Sequence, residues 1–331
     1  MTQPPSRVAA APMDPERRRA DYDRDGYCVV PRLIQPDAIT ALLDEYQRTI
    51  LPSRARFFRQ SARWERNRMS AAGFVANPFM GIHTFDHPDG PASPAAGFAR
   101  LVRNVLCAPA VRDVLSDLTS TARHSLVQSM LFDLNGETEA HQDWYYLDSL
   151  PGGHLLAAWV ALEDIREEAG RFFVIPGSQT VEFLVEGDAR QLNALYLPTV
   201  RNYVQTHTAR ISSPALQRGD VLFWNSGTVH GALPTRTTSY SRKSLTAHYL
   251  PEGFAFGSHY TPTPRHLQVQ EHDGMAYAVE PLSREPGALA RLHNGMAHYI
   301  ASPDANPLVY RLAGTARTAW RAARRIRRPP R

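Results

Sequence analysis

Between residues 124 and 250 the sequence breaks into short apolar runs, each closed by glycine or proline. Runs at 124–133, 154–163, 171–176, 219–224, 228–233 and 242–250 have the length and the β-branched or aromatic content of strands. Pro151-Gly152-Gly153, Pro176-Gly177-Ser178 and Arg218-Gly219-Asp220 mark their ends. No strand this short buries its apolar face alone, and little helical periodicity intervenes. A sandwich or barrel is therefore the expected architecture. Residues 178–208 interrupt the series and are expected to form a helix-and-loop insert over one end.

The flanking regions read differently. Residues 1–18 are rich in Pro, Ala and Arg and are expected to be disordered. A turn and short strand follow through Tyr27-Cys28-Val29-Val30. Pro36-Asp37 then opens a helix with apolar positions Ile39, Leu42, Leu43 and Tyr46. Residues 51–92 have no clear period and are assigned to a lid or insert. Residues 94–119 read as helical with a break at Pro109. The main domain is expected to span 19–252, with loops and one helix (near 284–295) in an extension over 253–304. No internal repeat and no glycine-rich nucleotide loop is present.

Within this frame, His141-Gln142-Asp143 follows the apolar run Ser125–Phe132 across a polar turn. In an extended chain residues i and i+2 point the same way, so His141 and Asp143 offer an imidazole and a carboxylate to one point. Downstream, Val221-Leu222-Phe223-Trp224 and Thr228-Val229-His230-Gly231 supply a second histidine on another strand and turn. Two imidazoles and one carboxylate form a facial triad that leaves three positions of Fe(II) open. A His-x-Asp tripeptide alone is more often a turn with a surface histidine. The same ligands would also hold zinc in a hydrolase, or survive in a binding protein without catalysis.

Several segments, in order, resemble the phytanoyl-CoA dioxygenase-like Fe(II)/2-oxoglutarate oxygenases. They are Asp25-Gly26-Tyr27, His141-Gln142-Asp143, Ala158-Trp159-Val160-Ala161-Leu162-Glu163, Gly170 through Ser178, Gly219-Asp220-Val221-Leu222-Phe223, and His230-Gly231 with Arg242-Lys243. Each is weak alone; the ordered set, over roughly residues 20–250, is specific. The resemblance implies a mainly β fold with flanking helices around a double-stranded β-helix, the jelly roll of cupin-like proteins. It implies Fe(II) held by His141, Asp143 and His230, with 2-oxoglutarate and dioxygen as cosubstrates, and hydroxylation of a C–H bond. Asp143 stands where related halogenases have a small residue, which argues against halide chemistry.

The far carboxylate of 2-oxoglutarate needs a rigid bidentate cation, which arginine supplies better than lysine. Arg242 matches the family's arginine, twelve residues after His230, and Ser244 should face the same way on a strand. Arg236 is a competing candidate in a turn. Trp159 aligns with a tryptophan of the cosubstrate pocket, although core packing explains it equally well. Ser129 or Met130 would form the floor. Ala232 stands where phytanoyl-type members have serine. For substrate, Gln142, Trp144, Tyr145 and Tyr146 flank the triad. Arg66 and Arg68, in the cluster Arg54–Arg68, could meet an anion, although a solvated surface accounts for that cluster better.

The net charge of +5 belongs to the end of the chain. Eight arginines and no acid lie between Ala305 and Arg331, which leaves residues 1–304 at −3. Leu308, Leu312, Ala316, Trp320 and Ala323 recur at helical spacing, so 305–331 reads as a basic amphipathic helix suited to an anionic membrane surface. Without interleaved aromatics for base stacking, nucleic acid is not an expected partner. Two substrate classes follow: a membrane glycolipid sugar, such as the octulosonic acid of lipopolysaccharide, or a soluble natural product, amino acid or acyl thioester. Cys28 and Cys107, both in apolar settings, fit buried thiols in a reducing compartment. With no apolar leader and no membrane-length run, the expected location is the cytoplasm, with peripheral attachment to the membrane through the tail.

Overall fold

The computed structural model describes residues 14–86, 95–183, 192–258 and 264–279. In chain order the elements are α1 (Pro15–Asp25), β1 (Tyr27–Val30), α2 (Pro36–Glu45), the short strands β2 (Phe57–Phe58), β3 (Trp64–Glu65) and β4 (Phe79–Met80), α3 (Ala96–Leu106), α4 (Pro109–Thr119), β5 (His124–Phe132), β6 (Asp148–Leu150), β7 (Leu156–Ala161), β8 (Phe172–Val174), α5 (Leu192–Thr206), β9 (Val221–Asn225), β10 (His230–Ala232), β11 (Ser244–Pro251), β12 (Ala255–Gly257), β13 (Val269–His272) and β14 (Met275–Ala278). The main sheet runs β1-β9-β7-β11-β5-β14-β13, with β4 also paired to β5. A second layer is built on β8 and β10, extended by single bridges from His141 to His230 and from Val174 to Ser212. This is the two-layered jelly roll with flanking helices.

Every residue of β7 and β11 is buried, because their sheet is covered on both faces. Ala158, Val160, Leu245 and Ala247 pack outward against the helical layer, with Leu42, Phe98, Val102 and Leu115. Ala157, Trp159, Ala161, Leu222 and Trp224 face inward, against Phe172 and Val174 of the second layer. The period of two in Leu-Ala-Ala-Trp-Val-Ala thus divides β7 between two cores. Its inward alanines leave room beside Trp159 for the functional site.

The ends of the domain depart from the sequence reading. Helix α1 starts at Pro15, inside the stretch expected to be disordered. Proline suits a first helical turn, and buried Arg18 pairs with Asp117 of α4 at 2.6 Å, a partner that composition does not reveal. Residues 253–279, expected as loops, carry β12, β13 and β14. The last joins β5 in parallel through Ala276↔Ser125 and Tyr277↔Leu126. These strands are three or four residues long, and of the three only β14, Met275-Ala276-Tyr277-Ala278, is apolar throughout, too short a run to declare itself as a strand. The helix near 284–295 and the basic tail at 305–331 lie outside the described residues.

Segment 51–86 is strapped down, not loose. Arg59 is buried and donates to the carbonyls of Asn77 (2.9 Å) and Glu65 and to Asn67 Oδ1 (2.7 Å), with its guanidinium 4.0 Å from the centre of the Phe79 ring. Asp133, just past β5, ties this segment to the barrel. Its Oδ2 accepts from Tyr46 Oη (3.0 Å) and Val75 N (2.8 Å), and Oδ1 lies 3.2 Å from Lys243 Nζ. A buried carboxylate requires such company. Lys243 is the chain's only lysine, and it directly follows Arg242.

Two outcomes test this account. Lys243→Met leaves buried Asp133 without its cation and should cost on the order of 3 kcal/mol in urea unfolding. Arg123→Ala, in an exposed pair with Glu252, should leave the curve unchanged. Stability should also depend on pH through His83, buried between Ser129 Oγ (2.6 Å) and Ala278 O (2.9 Å), where burial holds its pKa down at about 4. The unfolded chain takes up that proton near pH 6.5, the folded chain only near 4. This contribution is complete above about pH 6.5 and is lost on acidification toward 4, at up to roughly 1.4 kcal/mol per pH unit. His124, shifted to about 4 by burial as well, adds in the same direction. Urea midpoints at pH 7 and pH 5 measure the slope.

Candidate metal and cosubstrate site

His141 and His230 exchange both backbone hydrogen bonds, each 3.0 Å, as an antiparallel pair. Partners in such a pair project to the same face, and their rings lie 4.4 Å apart at the centroids. His141 Nδ1 donates to Glu139 O (2.8 Å) and His230 Nδ1 to Thr228 O (2.9 Å). These bonds fix the tautomers and leave both Nε2 lone pairs facing Asp143 Oδ1, at 3.5 Å each. The three ligand atoms lie within 4.8 Å of one another.

The electrostatics suit a cation. Burial opposes ionisation of Asp143, but His230, His248 and His141 together hold its carboxyl well below the usual range. Burial keeps His230 down at about 4, against the attraction of Asp143, so its imidazole is neutral near pH 7. The other carboxylate oxygen, Oδ2, accepts from Trp224 Nε1 at 2.8 Å. Oδ1 is left as the free ligand atom.

The triad opens into a cavity that also receives Arg242, Trp159, Met130, Thr246, His248 and Phe172. Pairing across the sheet explains the grouping. Thr246 is in register with Met130 of β5 and Trp159 of β7, so the three share a face. Arg242 is buried, with Nη1 donating to Gly170 O (3.1 Å) and its guanidinium 5.6 Å and 5.7 Å from the Phe132 and Trp159 ring centres. Ser244 is fully buried with an Oγ that bonds nothing. It shares the inward face but does not line the cavity. Arg236 is exposed and pairs with Glu167.

Other candidates fall elsewhere. Ser129 pairs with Ala247 on the outward face, and its Oγ bonds His83, so it cannot floor the cavity; Met130, one residue on, points in. Gln142 lies between two inward residues and turns away. Its amide donates to Val181 O and Gly227 O and accepts from Trp144 Nε1, which makes it a buried clamp. Tyr145 stacks on Tyr196, with centroids 3.6 Å apart. Trp144 lines a separate cleft with Gln179, Glu182 and Asn225. Tyr146 meets His141 edge-on at 5.7 Å and is the aromatic of this run nearest the triad. Arg66 and Arg68 are exposed, Arg68 lying 3.7 Å from Glu65, and neither lines the cavity. The expected lid reaches the cavity through Gln60, whose amide meets Thr138 Oγ1 at 3.4 Å.

Gln60, Thr138, Thr246 and His248 were absent from the sequence reading. Continuing the period of two from Arg242 and Ser244 along β11 reaches Thr246 and His248. Nothing in the sequence places Gln60.

Comparison with known proteins follows the same lines. The family model "Phytanoyl-CoA dioxygenase (PhyH)" matches residues 22–244. "Phytanoyl-CoA dioxygenase domain-containing protein 1" of Danio rerio is 34% identical over 82 residues, which is 24% of this chain and 28% of that protein, so the aligned part spans less than a third of that relative's length. Among solved structures, the epimerase SnoN, in complex with Fe3+, alpha ketoglutarate and nogalamycin RO, is 21% identical, covering 73% of this chain and 85% of its own, with a TM-score of 0.51. The non-heme alpha ketoglutarate dependent carbocyclase SnoK from nogalamycin biosynthesis is 16% identical over 78% and 98%, with a TM-score of 0.54. EctD from S. alaskensis with 2-oxoglutarate and 5-hydroxyectoine is 20% identical over 79% and 84%, with a TM-score of 0.52. At these identities the three structures establish the shared fold. With the family model spanning most of the described barrel, the chain belongs to the phytanoyl-CoA dioxygenase family.

Proposed function

We propose that this protein is a non-haem Fe(II)/2-oxoglutarate-dependent dioxygenase that oxidises a C–H bond of a small molecule. The observation that carries the reading is Arg242. Its guanidinium is buried in the cavity of the triad, has no carboxylate within ion-pair distance among the described residues, and keeps a buried Nε without a partner. Burial alone pulls its pKa down to about 10. A buried, uncompensated cation is costly, and a dicarboxylate cosubstrate supplies the missing charge.

The donor set fits the metal as well. Two imidazole nitrogens and one carboxylate oxygen suit ferrous iron and leave one face open. When bound, iron and 2-oxoglutarate supply dioxygen activation coupled to decarboxylation of the keto acid, yielding succinate and carbon dioxide. The chain's own residues hold and orient. Glu139 O and Thr228 O fix the two imidazoles, and Trp224 fixes Asp143. Arg242, with the Phe132 and Trp159 rings beside its guanidinium, would receive the far carboxylate. Trp159, Met130 and Phe172 give the cavity apolar walls around the reacting groups.

The substrate enters beside His141, the most exposed of the three ligands, where Gln60, Thr138 and Tyr146 gather. These are neutral polar tips, which favours a soluble, uncharged or hydroxylated small molecule. The fold relatives crystallised with nogalamycin RO and with 5-hydroxyectoine are consistent with that class. A glycolipid sugar presented at a membrane remains the second reading, and the eight arginines of 305–331 favour it. Among the described residues no helix is long and apolar enough to cross a membrane.

Anaerobic addition of 2-oxoglutarate to the Fe(II)-loaded protein should raise a weak visible charge-transfer band, and Asp143→Ala should abolish it. A zinc hydrolase would give neither the band nor succinate. Arg242→Met should weaken 2-oxoglutarate binding by ~100-fold or more, yet raise the stability of the cosubstrate-free protein by roughly 2–3 kcal/mol, since it removes a buried unpaired charge. Loss of both binding and stability would count against the anchor. Cosedimentation with anionic liposomes, with and without residues 305–331, decides between the substrate classes. Indifference to lipid removes the glycolipid.

A further inference from the structure

His248 lines the cavity behind Asp143 but has so far been given no role of its own. It is 2% exposed, and neither ring nitrogen makes an aligned hydrogen bond. Buried polar atoms normally find partners. Its Nε2 lies 3.3 Å from Asp143 Oδ2, the carboxylate oxygen turned away from the two histidine ligands.

The sheet explains how it gets there. Across β9, β7 and β11, Trp224 is in register with Ala157, and Ala157 with His248. Cross-strand partners share a face, so the two rings flank a single methyl group. That gap receives the Asp143 carboxylate, with Oδ2 2.8 Å from Trp224 Nε1 on one side and 3.3 Å from His248 Nε2 on the other. No acceptor meets His248 Nδ1. With Nδ1 unmatched, the N–H that a carboxylate can take is the one on Nε2.

Building on the function proposed above, we infer that His248 is a positioning residue: its Nε2–H is the second donor to Asp143 Oδ2, and with Trp224 it keeps the carboxylate on the metal through Oδ1 alone. An unrestrained carboxylate can turn to bind through both oxygens, which fills a position the cosubstrates need. One donor leaves the carboxylate free to pivot about that bond. A second donor, on the opposite flank, fixes its plane. Outer partners of this kind orient metal ligands and raise affinity. His248 is the looser of the two, and the small side chain of Ala157 makes room for both.

The test uses the full-length protein, titrated anaerobically with Fe(II) in the presence of 2-oxoglutarate and read by the charge-transfer band, with far-UV circular dichroism and thermal unfolding alongside. His248→Leu should weaken Fe(II) binding by ~10–100-fold and displace the band, with circular dichroism unchanged. His248→Gln, which restores an N–H donor at similar reach, should recover most of the affinity and the band position. Should His248→Leu fail to fold, His248→Phe keeps the ring without the donor and takes its place. Wild-type affinity and band in the donor-less variant, or a glutamine variant as weak as leucine, overturns the inference while the oxygenase reading stands. Absence of any Fe(II)-dependent band in the wild-type protein overturns both.

Discussion

Two backbone hydrogen bonds between His141 and His230 decide whether this molecule has a site at all. The strands that carry the histidines belong to different stretches of the chain, and only the antiparallel exchange brings their rings to one side. Everything near the triad depends on that pairing. Each Nδ1 is tied to a carbonyl two residues away, so each ring is oriented by its own strand, and each Nε2 is delivered to the same carboxylate oxygen. The neighbouring layers supply the rest: Trp224 from β9, Trp159 from β7, and the inward face of β11. His141 and Asp143 lie in the β5–β6 connection, held by the bridge to β10, while His230 and the inward face of β11 lie on strands.

Three buried ionic groups show how the fold divides its tolerance for charge. Asp133 receives a hydroxyl, a backbone amide and the only lysine. Arg59 is satisfied by carbonyls and an asparagine. Both have their charge met by neighbours, and both lock segment 51–86 against the barrel. Arg242 has one carbonyl and two aromatic faces, and no acid among the described residues. Stability and function part company at that residue: a structure selected for stability alone would pair it or omit it. The cavity thus keeps a buried cation that an anion would compensate.

The strand series from 124 to 250, the break at Pro109 and the helical insert ending near 206 were legible because periodicity and glycine–proline punctuation are local signals. So was the His-x-Asp pair, and the resemblance carried His230 and Arg242 into the same frame. The reading went astray where a partner far along the chain decides the outcome. Helix α1 is ordered by Asp117, and β14 is a strand because it finds the free edge of β5. The assignment of Ser129 failed on parity alone: one residue's difference turns a side chain to the opposite face of the sheet. Gln142 was misjudged for the same reason, as the residue between two inward ligands.

By itself the sequence determined the chemical class of the candidate ligands, the run of strands between 124 and 250 and the presence of an arginine suited to a carboxylate, since residue type and spacing along one strand are properties of the chain. Which face each side chain takes, which charges remain unpaired, and that His248 should approach the back of Asp143 across a single alanine were decided by register between strands. Register is set by the packing of two sheets against each other and against the helices. No local stretch contains that information, because the partners in each row come from three separate parts of the chain.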